Sequence, residues 1–180
     1  PRRGNSVANN IPMRLIYDSL MFLNDDAEFE PRLATKWEVI DDTHLRFTLR
    51  EGVKFSNGYD FTAEDVLYSL NRTKLDSTSL STMKWYDEVN SKAENAHSVI
   101  IAMNYPYAPA LQVLCGGRTW IGSKKAMEEM GEEAHARAPI GAGPYKLTTW
   151  TTGASMLLSR NDNYWGEPAK TEKVLFKYSA

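Results

Sequence analysis

The chain has 180 residues, enough to bury a sizeable core as one domain or two small ones. Its 21 basic and 23 acidic residues nearly balance and form no Lys/Arg cluster, which argues against a nucleic-acid or anionic-membrane partner. No apolar run reaches the ~20 residues of a membrane span, and a lone Cys115 excludes an internal disulfide framework.

Residues 1–10 are polar and irregular. Met13, Ile16, Tyr17 and Leu20 then recur at three- and four-residue spacing, predicting a short amphipathic helix with Pro12 in its first turn. Asn24-Asp25-Asp26 predicts a turn before Phe29 and Pro31. Leu45, Phe47 and Leu49 alternate with His44, Arg46, Thr48 and Arg50, the two-residue period of a strand with one buried face. Trp37 and Val39 alternate likewise, so a hairpin is expected across Asp41-Asp42-Thr43. Glu51-Gly52 and Asn57-Gly58 mark two further reversals. At Thr62 the period changes. Thr62 is the candidate N-cap, Asp65 completes a capping box, and Phe61 with Val66 forms the staple of a helix whose apolar face is Val66, Leu67 and Leu70.

Residues 73–82, rich in Ser and Thr, read as a surface loop, and Met83, Trp85, Tyr86 and Val89 as a short helical or irregular packing segment. Ser98–Met103 reads as a strand, followed by a helix from Pro109 that ends at Gly116-Gly117. Ser123 is expected to cap a helix over 124–136, with Ala126, Met127, Met130 and Ala134 on one face and Lys124 and Lys125 paired with Glu128 and Glu129. Tyr145–Trp150 and Met156–Arg160 read as a hairpin across Thr151-Thr152-Gly153, and Val174–Tyr178 as a last strand. Internal repeats and low-complexity segments are absent.

Few residues carry a catalytic pattern. Glu64/Asp65 and Asp41/Asp42 are adjacent carboxylates, but capping and turn chemistry already account for them, and a glycosidase needs two carboxylates facing across a cleft. No serine stands in a Gly-x-Ser-x-Gly elbow. His44, His97 and His135 lack a second ligand at metal spacing, so neither a metal nor another cofactor is expected. Gly141-Ala142-Gly143-Pro144 lacks the third glycine and following helix of a dinucleotide loop, and reads as a turn.

The segment around the predicted hairpin and helix resembles the family 5 extracellular solute-binding proteins, the peptide- and nickel-binding receptors of ABC importers. The matching residues are Pro31, Leu33, Ala34 and Trp37; Phe47, Leu49, Arg50, Gly52, Val53 and Phe55; and Gly58, Thr62, Ala63, Asp65 and Val66. Pro139–Tyr145 is similar to that family's Pro-x-Gly-Thr-Gly-Pro-Tyr, with Ala142 in place of Thr. Arg160–Trp165 is similar to its Arg-Asn-Pro-x-Tyr-Trp, with Asp162 in place of Pro, and Ile16–Leu20 to its first helix, with Ser19 where Gly is common.

The resemblance implies an α/β fold of mixed α+β character: a periplasmic-binding-protein-like type II lobe fragment with an inserted small α+β domain. Residues 1–30 and 138–180 would form part of the first, cleft-facing lobe, and residues 31–137 the inserted second domain. It further implies a piece of a longer, exported protein, since the chain opens on Pro1-Arg2-Arg3-Gly4 without an initiator Met. The implied function is capture of an oligopeptide, dipeptide or similar small solute for an ABC transporter permease, without catalysis. The implied setting is a monomer in the periplasm or a cell-surface lipoprotein. Binding would take place in a two-lobed cleft, where bridging waters adapt to varied side chains. By position the segment Gly4, Asn5 to Val7 would supply backbone groups. Trp85, Arg118 and Trp120 are further candidates, because Arg can fork onto a carboxylate and Trp can floor a pocket. Two other classes fit the same residues less well: the solute-sensing domain of a transcription regulator, and a cleft hydrolase.

Overall fold

The computed structural model describes residues 7–76, 79 and 81–178, with side chains described from residue 11 onward. In chain order the elements are α1 (Val7–Ile16), β1 (Met21–Leu23), β2 (Phe29–Pro31), β3 (Ala34–Asp41), β4 (His44–Leu49), α2 (Ala63–Leu75), β5 (Tyr86–Asn95), β6 (Ser98–Met103), α3 (Ala110–Val113), α4 (Lys124–Met130), α5 (Glu132–Arg137), β7 (Tyr145–Thr151), β8 (Ser155–Arg160) and β9 (Lys173–Lys177). They fall into two compact units. One comprises residues 1–18, 52–61 and 122–180, the other residues 19–51 and 62–121.

The unit of residues 19–51 and 62–121 is built on an antiparallel sheet in the order β3-β4-β6-β5. The expected hairpin forms, with Trp37 opposite Phe47 and Val39 opposite Leu45. Leu45, Phe47 and Leu49 are buried, as are Val99 and Ile101 on the neighbouring β6, and α2 packs on β5 and β6 with Val66 and Leu70 fully buried. Side-chain alternation therefore sends one row of β4 into the core and the other outward, whereas β6 is buried throughout Val99–Met103 and β3 beyond Ala34 is exposed or half-buried, so that Val39 does not share the buried face expected of it. On the wet face Arg46 of β4 links β3 to β5 across β6: its Nε and Nη2 donate to Glu94 at 2.7 and 3.0 Å, and Nη1 to Glu38 at 2.6 Å. The hairpin turn is closed by the Asp41 carboxylate, which accepts from Thr43 N–H at 2.8 Å and pairs with His44 Nδ1 at 2.9 Å. Asn24 closes the β1–β2 turn, its Oδ1 accepting from the backbone of Asp26 and Glu28.

Three sequence expectations change in this unit. Residues from Tyr86 do not form a helical or irregular segment: Tyr86–Asn95 is the edge strand β5, broken by a bulge between Asp87 and Lys92. Its sequence, rich in Asp, Glu, Asn and Lys, lacks the β-branched signal of a strand, and β6 supplies the pairing. Leu67 is only half-buried, and α2 buries Ala63, Asp65 and Ser69 along with Val66 and Leu70. The helix also runs to Leu75, consuming the first residues of the expected loop.

The unit of residues 1–18, 52–61 and 122–180 contains α1, α4, α5 and the antiparallel sheet β7-β8-β9. Pro12 lies in the second half of α1, not in its first turn, and the helix stops at Ile16, so Tyr17 continues as irregular chain. The expected single helix over 124–136 is two, because Gly131 adopts φ +76° and interrupts the hydrogen-bond ladder between α4 and α5. Ser123 caps α4 as expected, its Oγ accepting from Ala126 N–H at 3.2 Å. Ala126 and Met127 are buried, whereas Ala134 is exposed and His135 takes the buried position of α5. Lys125 does not pair along the helix. It sits 4.3 Å above the Tyr59 ring, while the Tyr59 hydroxyl donates to Glu129 at 2.7 Å.

Gly141-Ala142-Gly143 is a seam rather than a turn. A Cβ on Gly141 would lie 2.2 Å from the Ile16 carbonyl oxygen, and one on Gly143 2.5 Å from that of Leu15. Gly143 N–H donates to Ile16 O at 2.8 Å. Buried Asn161 ties the start of the C-terminal segment to the same place, its Nδ2 donating to Gly143 O at 2.8 Å and its Oδ1 accepting from Asn163 N–H at 3.1 Å. The Asn of the Arg160–Trp165 segment thus serves packing: it satisfies a backbone carbonyl that the glycine seam buries.

Candidate functional site

The candidate ligand-contacting residues divide by where the fold places them. Gly4 and Asn5 lie outside the described residues. Val7 opens α1, and its side chain likewise lies outside them. Trp85, Arg118 and Trp120 all belong to the unit built on β3-β4-β6-β5.

Trp85 immediately precedes β5 and is 1 % exposed. Its indole stacks on Tyr107 (centroids 5.7 Å apart, planes 10° apart) and meets Tyr86 edge-on at 6.1 Å. Tyr105, exposed, stands edge-on to Tyr107 at 6.2 Å. Trp85 therefore works from inside: it backs Tyr107, which carries the aromatic surface outward to Tyr105. Asn104 holds this loop down by donating from Nδ2 to the carbonyls of Lys84 and Tyr86. Behind it, burial raises the Tyr86 hydroxyl above its ordinary range, and that hydroxyl donates to Asn71 Oδ1 at 2.8 Å.

Arg118 and Trp120 flank Thr119, which is buried and donates to Val113 O at 2.7 Å, pinning the segment after α3. Arg118 is exposed, with Nη1 donating to Ser79 Oγ at 3.2 Å and its carbonyl accepting from Thr73 Oγ1 at 3.1 Å. Trp120 is half-buried. Gly116, at φ +110°, lets the backbone close on it: a Cβ there would stand 3.3 Å from Trp120 Nε1 and 3.4 Å from Ser19 Oγ. Ser79 also accepts, through its carbonyl, from Met83 N–H at 3.1 Å. The turn that receives Arg118 thus leads, within six residues, to Trp85.

The groups with catalytic potential are committed elsewhere. Asp65 accepts from Thr62 N–H at 2.8 Å and from Thr62 Oγ1 at 3.1 Å as the helix cap. Asp41 closes its turn, and its carboxyl is held down to about 2, chiefly by the Thr43 N–H and then by His44. Cys115 donates to Leu111 O, and burial pushes its thiol up to about 11, away from the thiolate a nucleophile needs. Among the described residues no group of three His, Cys, Asp or Glu is gathered to hold a metal ion. Nor is any described helix long and apolar enough to cross a membrane.

Sequence reading missed Tyr105 and Tyr107 as surface aromatics. The available signal was the Tyr-Pro-Tyr-Ala-Pro run, where two prolines mark a loop between β6 and α3.

The model of the bacterial extracellular solute-binding proteins, family 5 (middle), matches residues 28–180. Protein XP55 of Streptomyces lividans is 36 % identical over 158 residues, covering 84 % of this chain and 28 % of that protein. The glutathione-binding protein GsiB of Escherichia coli is 29 % identical over 168 residues, covering 92 % and 32 %. The chain thus spans about a third of the length of these curated relatives. Among solved structures, NikA from Brucella suis in complex with Fe(III)-EDTA aligns at TM-score 0.79 with 30 % identity, over 92 % of this chain and 34 % of that one. The periplasmic binding protein DppA from Helicobacter pylori in complex with the peptide STSA aligns at TM-score 0.86 with 25 % identity, over 99 % and 40 %. The mixed α/β architecture is that of these periplasmic binding proteins.

Proposed function

The chain belongs to the bacterial extracellular solute-binding proteins of family 5, and from that premise we propose that it is part of an extracytoplasmic receptor that captures a peptide or similar small solute and delivers it to an ABC importer. The observation that carries the reading is the family match over residues 28–180, together with structural neighbours holding a peptide and a metal chelate. No bond is made or broken in this function. Two lobes close on the solute about a hinge, and the closed monomer docks on the membrane permease. The protein works in the periplasm or at the cell surface.

In this reading residues 1–30 and 138–180 form part of the first lobe and residues 31–137 the inserted domain. The first assignment shares α1 and the β7-β8-β9 sheet with one compact unit; the second shares β3-β4-β6-β5 and α2 with the other. Gly4, Asn5 and Val7 offer backbone groups to the ligand, while Arg118 and Trp120 offer a cation and an indole. Trp85 acts behind Tyr107. What supports the peptide class is the DppA neighbour, whose structure holds the peptide STSA.

The test is mass spectrometry of solute co-purified with the protein in its full natural length, followed by calorimetry with the solute identified. A peptide or chelate bound at micromolar affinity or tighter supports the reading. A protein that arrives empty, binds none of a peptide and chelate panel and instead turns a substrate over overturns it. These 180 residues alone hold only part of the cleft, so calorimetric binding of the same peptide at micromolar affinity by this chain would refute the lobe assignment.

A further inference from the structure

We propose that Asn57 is a site of spontaneous covalent modification, deamidation through a succinimide, and that the turn carrying it holds the reaction in check. Of the chain's asparagines only Asn57 precedes a glycine. In the reaction the Gly58 backbone nitrogen loses its proton and attacks Asn57 Cγ. The Cγ–Nδ2 bond breaks and ammonia leaves with that proton. Water then opens the ring at either carbonyl, giving aspartate or isoaspartate. Asn57 is exposed, so water and base reach it. Gly58 adopts φ +89°, and no atom outside its chain neighbours lies within 4 Å of where a Cβ would stand, so no side chain shields this side of the turn.

Two hydrogen bonds oppose the attack. Gly58 N–H donates to Phe55 O at 2.8 Å, which keeps the proton on the nucleophile. The Asn57 Oδ1 accepts from Tyr59 N–H at 3.2 Å, which pins the carboxamide along the chain. The turn is anchored on both sides: Phe55 N–H donates to Tyr59 O at 2.8 Å, and Ser56 N–H to Gly141 O at 2.9 Å. Reaction therefore requires local opening of residues 55–59, and its rate reports the population of that opened state. The two products differ in consequence. The aspartate product retains an acceptor for Tyr59 N–H. The isoaspartate product inserts a methylene between residue 57 Cα and Gly58 N, lengthening the backbone inside the turn that the Gly58 N–H to Phe55 O bond closes, so modification loosens the segment that had restrained it.

The experiment incubates the chain at mildly alkaline pH, folded and in guanidinium chloride, and follows the peptide bearing residue 57 by mass spectrometry with fragmentation that separates aspartate from isoaspartate. The amide-to-acid mass change at residue 57 is expected in denaturant, and at least ~10-fold more slowly in the folded chain, the factor one retained hydrogen bond supplies. A smaller ratio overturns the restraint, and no change at residue 57 in denaturant overturns the site. Asn57→Gln keeps a side-chain amide and slows ring closure. Loss of the product in that variant supports the assignment, and its persistence in the same peptide places the chemistry elsewhere and overturns it.

Discussion

Gly141 and Ile16 touch backbone to backbone: the position a Cβ would take on Gly141 is 2.2 Å from the Ile16 carbonyl oxygen. No rotamer relieves that contact, because the obstacle is main chain on one side and the first side-chain carbon on the other. Gly141→Ala is expected to lower stability by ~3 kcal/mol or more, the upper range for overpacking. Chemical denaturation followed by circular dichroism checks it. An unchanged midpoint would show that α1 and residues 141–143 yield freely.

Asn161 acts on the same seam. Its amide saturates the Gly143 carbonyl at 2.8 Å and its oxygen accepts from Asn163 N–H at 3.1 Å, with the residue 1 % exposed. Asn161→Ala should cost ~1–3 kcal/mol, the penalty for leaving a buried acceptor unpaired. The matching observation is faster amide hydrogen exchange at Gly143 and Asn163; protection equal to that of the parent chain would refute the role.

Thr62 and Asp65 open α2 as a reciprocal pair, the Asp65 carboxylate receiving both the Thr62 N–H and its hydroxyl. Thr62→Ala removes the hydroxyl and is expected to destabilise by ~1 kcal/mol. A melting temperature equal to that of the parent would show that the backbone bond to Asp65 suffices.

Asp41 makes stability depend on acid. Its folded carboxyl is depressed from 3.8 to about 2 by the Thr43 N–H first and His44 second. A depressed folded pKa stabilises above the unfolded value and loses that contribution as pH falls through the folded value. The contribution should therefore be complete above about pH 4 and fade toward pH 2. Carboxyl chemical shifts titrated by NMR give the folded pKa directly. The Asp41→Asn variant should show a flatter loss of stability across that window, and an equal slope would sink the idea.

Local chemistry made much of the fold legible. The two-residue period of Leu45, Phe47 and Leu49 predicts β4 because alternation is a property of the strand itself. Thr62 and Asp65 predict the start of α2 because a cap involves neighbours three residues apart. Gly131 is equally local: a glycine inside a helical pattern is itself a break signal, which the apolar periodicity around it conceals, and its φ of +76° makes the break. β5 was different. Nothing in its run of acids, amides and lysine signals a strand, and only hydrogen bonds to β6 create one.

The candidate site was less legible than the fold. Arg118 and Trp120 carry chemistry that suits a ligand, but whether such side chains face water or core is settled by distant chain. Trp85 shows this: its indole faces Tyr107, twenty-two residues on, and is closed off from solvent.

Family, hairpin, caps and turns can be read along the chain alone, since each rests on residues that meet within a few positions of one another. Three-dimensional packing was needed to learn why Gly141 and Gly143 carry no side chain, what Asn161 is for, and that Tyr107 rather than Trp85 presents the aromatic surface. Those outcomes depend on close approach between segments far apart in sequence, and steric exclusion of that kind leaves no periodic mark along the chain.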